Sequence, residues 1–268
     1  MNFEAFRVLT DTFTPYLVGI SVATARAIAI ATVLPVFARL GLTGLVRNVV
    51  MIAIALPVVP QVTAELAALT PLQPGQVIML VAKEAVIGTL LGLLFGIPFW
   101  AVEAAGEIVD MQRGVNGAYL LDPNAAGQAS PIGTLFVLVL LALFFAGNGL
   151  GILAEALYRS YALWPATALL PPFTGETPTL LLGLLDRVVE LGLLFAAPLV
   201  IVMLLGDLTL AVIGRMAPQL NVFDLSLSVK TAAVLLVLPV YALFLVPYFA
   251  DGLGAIRGVL DLARTVLP

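Results

Sequence analysis

The chain has 268 residues, of which 62% are hydrophobic and only 10% charged, with a net charge of -4 and a mean hydropathy of +1.13. Soluble domains carry roughly a quarter charged residues, so this composition excludes an ordinary soluble domain and indicates a membrane protein. The absence of Cys and His excludes disulfides, thiolate catalysis and the commonest metal sites, and without a cluster of Lys and Arg no nucleic-acid surface is expected.

Long apolar runs predict helices that cross a membrane. Two weaker candidates come first, at residues 12–38, where Arg26 interrupts the run, and at residues 48–64. Stronger, charge-free runs follow, most of them near the roughly 20 residues that a spanning helix requires, at residues 85–102, 131–154, 191–206 and 231–250. The runs lack the alternation of a membrane barrel. We therefore predict an all-α, membrane-associated fold of about six hydrophobic helices, some kinked or paired as hairpins, in a single domain spanning residues 1–268.

Three glycines recur at helical spacing in the third of these segments. Gly88, Gly92 and Gly96 follow one another at i, i+4 and i+8, which forms a smooth stripe on one helix face. Such a stripe lets the backbone of another helix approach closely. It predicts a packing surface whose partner is either a helix of the same chain or a neighbouring subunit.

Three acidic residues share one face further along the same helix. Glu103, Glu107 and Asp110 are spaced at i, i+4 and i+7, and Pro98 between the glycines and the acids predicts a kink. A solvated helix end is the simpler interpretation of these acids. The polar segment that follows favours instead a face that lines a wet lumen.

The sequence EIVDMQRGVNGAYLLDPNAAGQASP separates two long apolar runs, at residues 107–131. Irregular backbone at membrane depth is tolerated only when it is buried in protein or lines water. Residues that favour backbone freedom or a turn recur in it, namely Gly114, Gly117, Asp122, Pro123 and Gly127. Arg113 has the spacing to pair with Asp110 in one state and to release it in another. The segment is therefore predicted to be the moving part of the protein.

Charged side chains also interrupt the apolar sequence of the second half. They are Asp186, Arg187, Glu190, Asp207 and Lys230. Charges at such positions are costly unless they are paired or wetted, so we predict a buried charge network. Because Arg187 lies three residues from Glu190, a local ion-pair network is favoured. The alternative is an ion site of a secondary transporter, formed by Asp186, Glu190 and Asp207.

The catalytic constellations of intramembrane proteases are absent or incomplete. Without His, neither a Ser/His pair nor an HExxH zinc site is available, and the sequence VMLLGD up to Asp207 lacks the Gly-x-Gly-Asp element of aspartyl proteases. Ser226 and Lys230 have the i, i+4 spacing of a Ser/Lys dyad, but no oxyanion hole accompanies them. The sequence predicts a protein that is not an enzyme and that has no cofactor and no metal site.

Three blocks of sequence resemble one protein family. They are residues 25–60, the block KEAVIGTLLGLLFGIPFWAVEAAGEIVDMQRGVNGAYLLDP at 83–123, and GRMAPQLNVFDLSLSVK at 214–230. In this order they are similar to the T subunit of the type III secretion export apparatus, the YscT/HrcT/SpaR family (also SctT), whose flagellar counterpart is FliR. The sequence NVFDLSLSVK looks closer to the injectisome branch. Ser228 stands where related sequences often place Pro, so a softer bend is expected before the last helix.

The resemblance implies an all-helical, non-enzymatic subunit of the bacterial inner membrane, multi-pass by hydropathy and standing partly on the periplasmic side once assembled. The implied partners are R-type and S-type subunits, the U-type switch subunit, the V-type export gate, membrane lipid and the unfolded proteins that pass. With the R-type and S-type subunits the chain would form and plug a pore. Carried over by position, the plug covers residues 112–130, with predicted plug residues Gln112, Arg113, Gly114, Asn116, Gly117, Tyr119, Leu120, Asp122, Pro123 and Gly127. A transporter, or an assembly scaffold outside the conduit, is the alternative.

Overall fold

The chain is described by a computed structural model over residues 3–42, 44–68, 72–114, 130–168, 177–219 and 221–266. These residues form helices and turns and contain no strand, which confirms the predicted all-α fold. In chain order, the elements are α1 (Phe3–Val33), α2 (Pro35–Arg39), α3 (Gly44–Ala55), a 3₁₀ turn (Leu56–Val58), α4 (Val59–Ala67), α5 (Pro74–Arg113), α6 (Pro131–Ala146), α7 (Gly149–Leu163), α8 (Thr177–Met216) and α9 (Val222–Val266).

Five of the described helical segments are long and apolar enough to cross a membrane, or up to six if α6 and α7 are counted as one broken span. The five segments are Phe13–Val33, Gly44–Ala67, Pro74–Arg113, Leu185–Met216 and Leu225–Ala250. This agrees with the predicted number of hydrophobic helices. Two helices are longer than the predicted runs: α5 and α8 each extend over 40 residues and carry charged ends beyond the charge-free runs.

Proline sets several of the helix boundaries. Pro35 stands at the first turn of α2, and Leu34 before it has an extended backbone (φ -66°, ψ 120°) that ends α1, because the proline ring disfavours the helical conformation of the preceding residue. Pro131 likewise begins α6. Pro98 lies inside α5, which continues from Pro74 to Arg113. Proline at the first position of a helix sacrifices no hydrogen bond, since that N–H has no partner within the helix.

The contacts divide the chain into two compact units, and the prediction of a single domain stays a prediction. The first unit contains residues 1–96, 148–180 and 255–268. Within it α1 packs against α3 and α4, and α3 also contacts α7. Two tyrosine hydroxyls of α7 donate to backbone carbonyls, Tyr158 to Ile54 at 2.8 Å and Tyr161 to Ala23 at 3.2 Å. The buried apolar side chains of the first unit include Val22, Ile30, Phe37, Met51, Leu66, Ile87 and Leu91.

The second unit contains residues 97–147 and 181–254. Aromatic side chains meet edge to face in its core, with ring centroids 5.2 Å apart for Phe195 and Phe249 and 5.8 Å apart for Phe99 and Phe144. Helices α5 and α6 approach so closely that a Cβ on Gly106 would lie 2.2 Å from the backbone of Gly133. This glycine crossing brings the start of α6 beside the last turns of α5, where the polar segment begins and ends.

Candidate functional site

Seven polar or charged residues of the second unit gather around the two ends of the polar segment. We call them the anchor cluster: Asp110, Gln112, Arg113, Ser130, Asp207, Ser226 and Lys230. They come from the last turn of α5, the residue before α6, the last third of α8 and the beginning of α9. The cluster has two parts, one centred on the Asp110 carboxylate and one on the Lys230 ammonium group.

The Asp110 carboxylate joins the end of α5 to the start of α6. It is 2% exposed and accepts hydrogen bonds from the Arg113 guanidinium, from the Ser130 hydroxyl and, at 3.0 Å, from the Ile132 backbone N–H. Ser130 caps α6, since its hydroxyl oxygen accepts from the Gly133 N–H at 2.8 Å. A buried carboxylate is stabilised both by the arginine and by the positive N-terminal end of a helix. The predicted pair between Arg113 and Asp110 is present.

The Lys230 ammonium group joins three helices. Its Nζ atom lies 2.8 Å from the Asp207 carboxylate of α8 and donates to the Gln112 carbonyl of α5 at 3.2 Å. Ser226, one turn before Lys230, donates to the same carboxylate at 3.2 Å. The Gln112 carbonyl is one of the last four of α5, which have no partner within the helix, and a cation is favourable at that negative end.

The same contacts bear on the Ser226 and Lys230 dyad considered from sequence. The serine hydroxyl donates to Asp207, and the lysine is paired with that carboxylate. A lysine that neutralises a carboxylate is not available as the free base that a serine nucleophile requires. Among the described residues, no group of three or more metal-ligating side chains is present either.

The structure does not place all five charges of the predicted buried network together. Asp207 and Lys230 belong to the anchor cluster, but Asp186, Arg187 and Glu190 are exposed on α8. Arg187 and Glu190 pair with each other at 2.7 Å, with side chains 55% and 67% exposed. Spacing of i, i+3 satisfies the charges of Arg187 and Glu190 locally, so they need no burial, and apolar neighbours in sequence do not reveal which helix face is covered.

The three predicted lumen-facing acids occupy different environments. Glu107 is exposed, Glu103 is half-buried, and Asp110 is buried beneath the start of α6. The prediction of one uniform acidic face therefore does not describe Asp110. Its carboxylate holds a helix end, because α6 begins directly against the last turn of α5.

The predicted glycine stripe packs against α1 of the same chain. A Cβ on Gly88 would lie 2.2 Å from the Arg26 carbonyl oxygen, and one on Gly92 would lie 2.9 Å from the Ile30 carbonyl oxygen. Gly96 is buried as well. Of the two partners that the sequence left open, the structure supplies the helix of the same chain for Gly88 and Gly92.

The predicted plug is described only at its two ends. Gln112, Arg113 and Gly114 end the first part, and Ser130 begins the second. Gly114 has a φ of 87°, a conformation that favours glycine, and its N–H donates to the Met111 carbonyl at 3.0 Å as α5 ends. The other predicted plug residues lie outside the described residues, namely Asn116, Gly117, Tyr119, Leu120, Asp122, Pro123 and Gly127.

A second charge cluster, in the first unit, was not predicted. Arg26 is 0% exposed; its guanidinium pairs with Glu84 at 2.5 Å and donates to the Ser160 hydroxyl at 2.7 Å and the Trp164 carbonyl at 2.9 Å. The guanidinium carbon also lies 3.7 Å from the centre of the Tyr161 ring. Three helices, α1, α5 and α7, thus share one buried arginine. We call this group, together with Lys83, the buried arginine cluster.

Lys83 completes the buried arginine cluster. Its Nζ atom lies 2.7 Å from the second Glu84 oxygen and donates to the carbonyls of Pro165 and Ala166 at 3.0 and 3.1 Å. These carbonyls follow the end of α7, so their negative ends compensate the excess positive charge. A signal was present in the sequence, since Arg26 interrupts an apolar run and intramembrane charges are seldom incidental.

An all-α chain with several helices able to cross a membrane, whose interior charges join helix ends, is a multi-pass helical membrane protein. The family described as "Bacterial export proteins, family 1" matches residues 17–256, and the chain belongs to this family. This confirms the family resemblance. The chain is accordingly a multi-pass protein of the bacterial inner membrane and an export component, not an enzyme.

Individual relatives come from secretion systems and from flagella. The Yop proteins translocation protein T of Yersinia pestis is 34% identical over 90% of this chain and 92% of its own length. The surface presentation of antigens protein SpaR of Salmonella typhimurium is 32% identical over 80% and 81%. The flagellar biosynthetic protein FliR of Bacillus subtilis is 30% identical over 58% and 60%.

Proposed function

We propose that this chain is the T subunit of a type III secretion export apparatus of the injectisome branch. The single observation that carries the proposal is the 34% identity to the Yersinia translocation protein T, extending over 90% of this chain. The flagellar relative of Bacillus subtilis is less similar, at 30% identity, which makes the flagellar counterpart the alternative. In this role the chain assembles with R-type and S-type subunits into a pore that unfolded proteins enter at the inner membrane.

The wider set of partners follows from the same role. The U-type switch subunit, the V-type export gate and membrane lipid would contact the assembled complex, and the passing proteins would contact the pore. Exposed large apolar side chains on α8 support contact with lipid or neighbouring helices, because such faces are not left in water. They include Leu185, Val189, Leu193, Ile201, Leu205, Leu208 and Val212.

We further propose that residues 112–130 plug this pore. The support is the polar sequence between apolar helices and the anchor cluster, which fixes residues 110–113 and 130 by ion pairs and hydrogen bonds. A segment of this polarity at membrane depth requires a wet or protein-lined surrounding. Firm anchors on both sides let the connecting residues act on the pore without displacing the helices.

The test replaces residues 115–127 by a glycine and serine sequence of the same length, which keeps the anchor cluster and the chain connection intact. We expect the complex to assemble and the membrane to leak ions and small solutes. The same kind of replacement at residues 170–175 serves as the control and should leave the membrane tight. Assembled complex that stays tight after the first replacement would show that the plug assignment is wrong.

A further inference from the structure

The ammonium group of Lys230 joins α8 and α9 to the end of α5. Within the described part of the second unit, it touches the Gln112 carbonyl of α5 and the Asp207 carboxylate of α8. The two partners are 118 and 23 residues away in sequence, so neither contact follows from a local helix pattern. The Lys230 side chain is 13% exposed and that of Asp207 35% exposed, so the ammonium group is the more shielded member of the pair.

The environment of Lys230 explains why both partners are needed. A mostly buried ammonium group is costly unless it is paired and its donors are used. Asp207 supplies the charge, and Ser226 holds that carboxylate from the same helix as Lys230. The Gln112 carbonyl accepts a hydrogen bond from the Lys230 ammonium group. This bond also satisfies the carbonyl, since a carbonyl at a helix end has no partner within the helix.

The other part of the anchor cluster acts on a different element. Asp110 and Arg113 both belong to α5, and they bind the start of α6 through Ser130 and Ile132. This part therefore joins α5 to α6, and these hydrogen bonds, among the described residues, involve neither α8 nor α9. Lys230 instead connects the last turn of α5 to α8 and α9.

We propose that Lys230 is a positioning residue that fixes the last turn of α5 against α8 and α9, so that a displacement of those helices moves residue 112. Loss of the ammonium group frees the helix end while the Asp110 contacts keep α6 attached. The consequence for a pore rests on the proposed function, since residue 112 is where the proposed plug begins. The positioning role itself can be measured without reference to the pore.

The experiment exploits the absence of cysteine from the sequence. A spin label is attached to Met111→Cys, at a site 65% exposed in the last turn of α5, in the full chain within its assembled complex. With Lys230 present, we expect an immobilised spectral component. Lys230→Met should lose that component, Asp207→Asn should reduce it, and Lys230→Arg, which keeps charge and donors, should retain it.

Two controls separate this role from general damage. Arg187→Met removes an exposed cation from α8 and should leave the label at position 111 unchanged. A label on Val86→Cys, 47% exposed in the first unit, should report an unchanged α5 in every variant. If Lys230→Met folds and the label at position 111 keeps its immobilised component, the positioning role is overturned.

The same samples distinguish this inference from the proposed function. A loosened label together with an ion leak supports both. A loosened label in a membrane that stays tight supports the positioning role and counts against the plug. An unchanged label overturns the positioning role whatever the membrane does.

Discussion

At the scale of single residues, buried charges in this protein are arranged around helix ends. Arg26 and Lys83 donate to carbonyls beyond the end of α7, and Lys230 donates to a carbonyl at the end of α5. Asp110 accepts from the start of α6. Asp110 and Lys230 meet helix ends of opposite polarity, and Arg26 and Lys83 meet carbonyls that directly follow α7; these contacts add to the stabilisation by the ion-pair partners.

Glu84 is the residue whose loss should cost most in the buried arginine cluster. Glu84→Gln leaves Arg26 and Lys83 buried together without a carboxylate, and removing one partner of a buried pair costs about 3–5 kcal/mol. We expect a clearly lower midpoint of thermal denaturation in detergent. Glu190→Gln, in the exposed pair on α8, should change stability by less than about 1 kcal/mol. Equal effects of the two substitutions would contradict a stabilising role for the cluster.

At the scale of helices, close approach through glycine fixes the pairing of α5. Its first half meets α1 at Gly88 and Gly92, and its second half meets α6 where Gly106 faces Gly133. The backbone of a neighbour fills the place of a side chain at these positions. Backbone carbonyl oxygens cannot move away from an added methyl group as the end of a flexible side chain can.

Substitution of Gly88 tests this pairing. A methyl group in Gly88→Ala would lie 2.2 Å from the Arg26 carbonyl oxygen, and such overpacking costs about 1–3 kcal/mol. Gly183→Ala, in α8, is the matched control, because beyond its own helical turn no atom of the described residues lies within 4 Å of the added methyl group. Since alanine favours helices over glycine by roughly 0.5–1 kcal/mol, we expect the control to be neutral or more stable. The midpoint of thermal denaturation should therefore fall for Gly88→Ala and stay unchanged or rise for Gly183→Ala.

At the scale of the whole molecule, two long helices of the second unit have most of their apolar residues uncovered by the rest of the chain. Only 28% of the apolar window in Leu185–Met216 and 17% of that in Leu225–Ala250 are buried, against 56% for Pro74–Arg113. Lipid or other subunits must cover the remainder, because large apolar patches are not stable in water. The exposed charges Arg187 and Glu190 lie on one of these helices, where neighbouring protein or water is a better surrounding than lipid.

Stability of the chain should therefore depend on the proposed R-type and S-type subunits. Expressed alone in a bacterial membrane, the chain should be degraded faster after protein synthesis is stopped than when the two subunits are produced with it. The measurement is the half-life of the chain, together with its co-purification with both subunits. A monodisperse chain that is equally long-lived alone would favour the transporter alternative over the export subunit.

The sequence by itself determined the class of fold and the contacts within one helix. Its apolar runs gave helices and no described strand, and spacing alone identified the pairs of Arg113 with Asp110 and of Arg187 with Glu190. Local geometry suffices for these, because residues three or four apart on a helix are neighbours whatever the rest of the chain does.

Only the tertiary structure decided which charges are buried and what they hold. Arg26 meets Ser160 from 134 residues away, Lys230 meets Gln112 from 118 residues away, and Gly88 faces α1 instead of a neighbouring subunit. Such contacts depend on which helix faces are brought together. Composition and helical period are the same for a face that packs against a helix and for one that remains exposed, so these contacts are decided by the docking of whole helices.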